Sequence, residues 1–208
     1  RDYYASRGLG DVYKRQVSTV YTDREGHTVC EERLLRRADG TTESIVTRYV
    51  YDDCGRLAWV VTPEGVDRLT QGASYAVTSE QARNYCYVYR YDARGRLVEK
   101  RMPGREAEYL VYDRGDRLVM SQDGNMRAQK QWLLRRYDPF GRPVQERLAA
   151  DGSTAAQSQR HAAFCAAFDG GTAPAIYTGP STLLREYAYD CYDCVSTPAL
   201  AFADNALT

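Results

Sequence analysis

The chain has 208 residues, 43% of them hydrophobic, with 28 basic and 28 acidic side chains and no net charge. That is enough for one domain or a piece of a larger one, and no apolar run approaches the ~18 residues of a membrane helix. Zero net charge gives no electrostatic case for nucleic acid, a membrane surface or an acidic partner, and six cysteines are too dilute for a disulfide scaffold.

Residues Arg1–Gln16 read as a stretch foreign to the fold. Ser6–Gln16 spells the translation of one frame of a transposase-based sequencing-library adapter. Arg1 and Asp2 match the end of a flow-cell primer, and Tyr3, Tyr4 and Ala5 would cover a variable index. Such a scar is set aside in fold reasoning. Removing its four basic and two acidic residues leaves 24 basic and 26 acidic, a net charge of −2. On this reading the chain is a fragment that starts at Val17 or upstream of it, and its parent's ends and length are unknown.

From Val17 the chain repeats. A weak first copy is Tyr21-Thr22-Asp23-Arg24-Glu25-Gly26. The full phrase stands at Tyr51-Asp52-Asp53-Cys54-Gly55-Arg56-Leu57 and again at Tyr91-Asp92-Ala93-Arg94-Gly95-Arg96-Leu97. At Tyr112-Asp113-Arg114-Gly115-Asp116-Arg117-Leu118 the glycine moves forward, and Tyr137-Asp138-Pro139-Phe140-Gly141-Arg142-Pro143 is a further variant. The spacings are 30, 40, 21 and 25 residues, an irregular array with insertions.

The phrase carries the physics of a β-hairpin. Tyr87-Val88-Tyr89-Arg90-Tyr91 alternates with strand period. Asp92 can take a hydrogen bond from the N–H two residues on, and Gly95 sits where a short hairpin loop needs positive φ. Arg96-Leu97-Val98-Glu99-Lys100 alternates again as the return strand, which would make Tyr91 and Arg96 cross-strand neighbours. Asp39-Gly40, Pro63-Glu64-Gly65, Pro103-Gly104, Asp123-Gly124 and Asp151-Gly152 punctuate the far ends.

Two segments break the pattern. One runs over about 62–85, where Tyr75–Arg83 reads as a loop with a short helix capped by Thr78 or Ser79. The other, 149–182, is rich in Ala, Gly and Ser, with a short helix expected at Ala162–Phe168. Strand character returns at Leu183–Asp193, where Tyr187-Ala188-Tyr189-Asp190-Cys191-Tyr192-Asp193 resembles a decayed copy. The organisation expected is a hairpin array over 17–148, a connecting segment over 149–182 and a divergent, truncated repeat over 183–208.

These copies resemble the YD repeat of the Rhs (rearrangement hotspot) family, related to the teneurins and the insecticidal toxin-complex proteins. The resemblance covers about Val17–Leu148. It implies an all-β fold of serial hairpins spiralling into a curved, hollow shell, with short helical or loop insertions. It also implies a non-catalytic structural role enclosing or presenting a toxin or effector encoded elsewhere in the parent, and a secreted or cell-surface location. The partners implied are the other repeats and the C-terminal domain of the same parent chain.

Chemistry-bearing motifs are sparse. Cys191-Tyr192-Asp193-Cys194 lacks the second pair a zinc site needs, and the histidines, His27 and His161, stand far apart. Gly72-Ala73-Ser74-Tyr75-Ala76 misses the last glycine of a nucleophile elbow. No catalytic residue, cofactor or metal site is expected. Asp52, Asp92, Asp113 and Asp138 recur in turns, so their expected role is structural. The alternative is a surface adhesin whose strand tyrosines, Tyr87 and Tyr89 above all, stack on cell-surface glycans.

Overall fold

A computed structural model describes residues 4–7, 17–36, 40–69 and 80–189, with backbone alone at 4–7, 69 and 80–82. The chain is all-β, an open antiparallel array of consecutive hairpins with a few short helices, and it divides into two compact units, Arg1–Ala107 and Glu108–Thr208.

In the first unit the strands are β1 (Tyr4–Arg7), β2 (Val17–Thr22), β3 (Thr28–Arg36), β4 (Thr42–Tyr51), β5 (Leu57–Val61), β6 (Cys86–Tyr91) and β7 (Leu97–Arg101). Each pairs antiparallel with the next. β1 lies in the stretch read above as adapter-derived. An open strand edge offers unpaired N–H and C=O groups to any extended segment, so this pairing does not bear on the segment's origin.

The first insertion holds α1 (Pro63–Leu69) and α2 (Glu80–Tyr85). Pro63-Glu64-Gly65 is therefore a helix start rather than a turn. Thr62 Oγ1 accepts from the Gly65 N–H at 3.3 Å, Pro63 occupies the first helical position, where a missing N–H costs nothing, and Glu64 favours the positive end of the dipole. Gly65 sits at a close approach. A Cβ there would stand 3.0 Å from Tyr85 and 3.1 Å from Val61 Cγ1. The helix thus presses close to the small cluster of Cys86, Val88, Trp59 and Val61. Thr78, Ser79 and the residues between the helices lie outside the described residues.

The second unit contains β8 (Glu108–Tyr112), β9 (Leu118–Gln122), α3 (Gly124–Ala128), β10 (Gln131–Tyr137), β11 (Pro143–Ala150), α4 (Gln157–Asp169), α5 (Ala175–Thr178) and β12 (Thr182–Glu186). Its strands again pair in chain order. The Ala-rich insertion forms a helix longer than the sequence suggests. α4 buries Gln157, His161, Phe164 and Phe168, a stripe at helical spacing, and leaves small residues outward. That stripe covers the sheet and closes a core of Val111, Val119, Met120, Trp132, Leu134 and Ala149.

Most polar groups inside this core are paired, the exception being Gln122 Oε1, which is buried without a hydrogen-bond partner. Gln157 Oε1 accepts from the indole of Trp132 at 3.0 Å and from Gln122 Nε2 at 2.9 Å, and Arg160 grips the buried Asp151 through two nitrogens at 2.8 and 3.2 Å. A buried donor without a partner costs about 1–3 kcal/mol. Gln157 thus fixes the helix's register as well as its depth.

Candidate functional site

The repeated feature is a five-residue turn joining the two strands of a hairpin, and it recurs at 23–27, 52–56, 92–96, 113–117 and 138–142. In the turn from Asp92 to Arg96, the Asp92 N–H donates to the Arg96 carbonyl and the Gly95 N–H to the Asp92 carbonyl, both at 3.0 Å. Asp92 Oδ1 accepts from the N–H groups of Arg94 and Arg96, each at 2.9 Å, and Oδ2 takes Arg96 Nε at 2.7 Å. Asp52, Asp113 and Asp138 make the same set, with Arg56, Arg117 and Arg142 at 2.8, 2.7 and 2.8 Å. The arginine of the phrase therefore serves the aspartate of its own turn, while the cross-strand partner of Tyr91 is Leu97.

The fourth turn position needs positive φ. Gly55, Gly95 and Gly141 supply it at 74°, 82° and 81°. In the variant copy it falls on Asp116, at 59°, rather than on Gly115. Aspartate is among the few residues that accept this region at modest cost.

Electrostatics follow the geometry. Burial acts to raise the Asp92 carboxyl, and the Arg96 N–H and guanidinium outweigh it, leaving the group below the usual carboxylate range. Asp113 and Asp138 are lowered against burial in the same way, and Asp52 chiefly by the Arg56 N–H.

A second set of contacts ties neighbouring hairpins together within each unit. The Tyr51 hydroxyl donates to the Thr28 carbonyl at 3.0 Å, Tyr91 to Leu57 at 3.0 Å and Tyr137 to Leu118 at 2.7 Å. In each case the inter-hairpin ladder has already ended. β5 and β6, for example, pair from Trp59 opposite Val88 away from the turn. The phenol thus satisfies a carbonyl that the strands have stopped serving. Arg56 lies over the Tyr91 ring at 4.9 Å and Arg117 over Tyr137 at 5.3 Å. Arg142 covers Tyr189 in the same manner at 4.5 Å. Tyr189 faces Arg142 when the pairing of Gln145 with Glu186 is continued. It thus occupies the place of a repeat tyrosine, although Asp190, Cys191 and Cys194 lie outside the described residues.

The first copy departs from the others. Thr22, opposite Thr28, takes the place of the repeat tyrosine, while the Tyr21 hydroxyl turns to Glu32 at 3.3 Å. His27 replaces the arginine. Its Nδ1 lies 3.2 Å from Asp23 Oδ2 and its ring stacks on Tyr51 at 4.6 Å. Asp23, Glu25 and His27 bring one ligand atom each within 4.8 Å of one another, the one such group among the described residues. Scanning for metal-ligand spacing passes over His27; aligning the copies on their turn aspartates would have found it, because it is the one histidine in an arginine column.

Tyr87 and Tyr89 alternate on β6 with the buried Cys86 and Val88, so they share the opposite face and are half-buried. His161 is buried against Tyr109, and its Nε2 lies 3.0 Å from the Leu110 carbonyl and 3.4 Å from Cys165 Sγ. The Tyr109 stacking and the Leu110 contact anchor α4 to β8, while Cys165 stands one turn along α4 itself.

No family model matches the chain, and no curated protein does. Solved structures do. Crystal structures of TcdB2-TccC3-TEV, of TcdB2-TccC3 without its hypervariable C-terminal region, and of TcdB2-TccC3-Cdc42 match at TM-scores of 0.53, 0.50 and 0.50. Identity is 16%, over 69% of this chain and 6% of each of theirs. The chain thus spans a small part of the length of the proteins it resembles. The class defined by turn, link and likeness is a β-hairpin repeat protein. Its fold is Rhs-like.

Proposed function

We propose that the chain is a non-catalytic wall segment of an Rhs-type YD-repeat shell that encloses or presents a toxin or effector encoded elsewhere in the parent protein. The observation carrying this reading is the tyrosine link. A hairpin's turn-end carbonyl is satisfied by the next hairpin's phenol, so the repeat is built to continue sideways. Its partners on this reading are the neighbouring repeats and the C-terminal domain of the same chain, in a secreted or surface-displayed protein. No helix among the described residues is long and apolar enough to cross a membrane.

The test is to sequence the source locus across both ends and image the purified parent protein by electron microscopy. Flanking Tyr-Asp-x-x-Gly-Arg copies and a hollow particle are the expected result. A short free-standing reading frame with its own start and stop would overturn the proposal. It would favour the adhesin reading, for which the shared, half-exposed face of Tyr87 and Tyr89 is the specific support. In that case glycan-array binding would be lost in Tyr87→Ala or Tyr89→Ala with the fold retained.

A further inference from the structure

We propose that Asp23, Glu25 and His27 form a binding site for a divalent metal ion of the zinc class, with the ion taking the place that a guanidinium holds in the other turns. The repeats themselves supply the argument. In four copies a cation sits 2.7–2.8 Å from the outer carboxylate oxygen of the turn aspartate. The first copy keeps that aspartate in the same orientation, with Asp23 Oδ1 accepting from the Glu25 and His27 N–H groups at 2.9 Å each. It loses the arginine and gains a second carboxylate, Glu25, on the same side of the turn.

The donor spacing suits such an ion. His27 Nδ1 stands 3.2 Å from Asp23 Oδ2 and 3.7 Å from Glu25 Oε2. Two zinc bonds of about 2.0–2.2 Å at a tetrahedral angle separate their donors by roughly 3.4 Å. One nitrogen and two carboxylate oxygens are the ligands of a borderline cation rather than of calcium or magnesium, which take oxygen alone. The imidazole is fixed from behind by the Tyr51 ring, and its far edge abuts Gly55, where a Cβ would lie 3.3 Å from His27 Cε1. A cavity of about 640 Å³, lined by Asp23, Arg24, His27, Tyr49 and Asp52 among others, opens beside the triad and leaves room for a fourth ligand. This inference does not depend on the shell proposal, since it concerns one turn and the metal it holds.

The experiment titrates the untagged 208-residue chain with Zn²⁺ against a chromophoric chelator and records the Co²⁺ spectrum. Three variants accompany it: His27→Arg, Glu25→Gln, and the double change Cys191→Ser with Cys194→Ser. The expected result is one equivalent bound, with a weak Co²⁺ spectrum free of thiolate charge transfer. His27→Arg should abolish binding while restoring the repeat's own ion pair and so keeping the fold. Glu25→Gln, at an exposed side chain, should weaken binding at least tenfold, and the cysteine double variant should leave it unchanged. Absence of binding, binding that survives His27→Arg, an affinity undiminished in Glu25→Gln, or binding that vanishes with the two cysteines would each overturn the site.

Discussion

Asp92 is held at 18% side-chain exposure and Arg96 at 11%, so their ion pair is sheltered from the screening that makes surface pairs weak. Asp92→Asn keeps an oxygen for the turn N–H groups and removes the charge from beneath the guanidinium. A loss of about 1–3 kcal/mol is expected in denaturant unfolding of the chain. Gly95→Ala acts on the same turn by strain, at φ of 82° with Arg56 Nη1 3.5 Å from the new methyl. It should cost about 1–2 kcal/mol, while Gly152→Ala, in open space at ordinary φ, should fall within about 0.5 kcal/mol of the parent. The repeated carboxylates also set the acid response. Their folded values lie below the unfolded one of ~3.9. Their contribution to stability is therefore complete above that value and is lost as pH falls through the folded values. Unfolding followed by circular dichroism at stepped pH should show stability level above about pH 5 and falling steeply below about pH 4. A midpoint unchanged down to pH 3 would remove the turn carboxylates from the account.

At the scale of the element, the hairpins were legible in the sequence because their determinants are local. Aspartate, glycine and arginine lie within five residues and act on one another. What the arginine and tyrosine do beyond the turn was not legible, since Tyr91 meets Arg56 and the Leu57 carbonyl only once the preceding hairpin is placed beside it. α1 was hidden for another reason. Pro-Glu-Gly reads as a turn unless the preceding Thr62 is taken as a cap. α4 was visible as an Ala-rich run, but its N-terminal extension to Gln157 rests on a side chain whose partners, Trp132 and Gln122, are 25 and 35 residues away. That dependence can be measured. Gln157→Leu leaves the Trp132 indole N–H buried without an acceptor and should cost about 1–3 kcal/mol. Trp132 is fully buried and Trp59 half-buried. The blue, quencher-protected part of the emission should therefore come from Trp132 and become accessible to iodide in the variant. Unchanged protection would mean that apolar packing alone seats α4.

At the scale of the molecule, a serial sheet has the problem that each hairpin which satisfies its neighbour leaves an edge of its own. The outer edge of β2 is paired with β1. β12 pairs with β11 alone among the described residues, and four of its five residues are exposed, Leu183 at 39% and Leu184 at 54%. A strand with unpaired N–H and C=O groups and apolar side chains on both faces is a template for another strand. In a continuous shell that position would be filled by the return strand of the next hairpin, for which Tyr189 already stands opposite Arg142. Among the described residues that edge is open, and association through it is the expected consequence. Size-exclusion chromatography with light scattering should show a concentration-dependent rise in mass. Leu184→Lys should suppress it, because a charge at the edge resists burial between paired strands while leaving the pairing of β11 with β12 intact. If the lysine variant associates as readily as the parent, the contact lies elsewhere on the surface, and β12 is not where the array is extended.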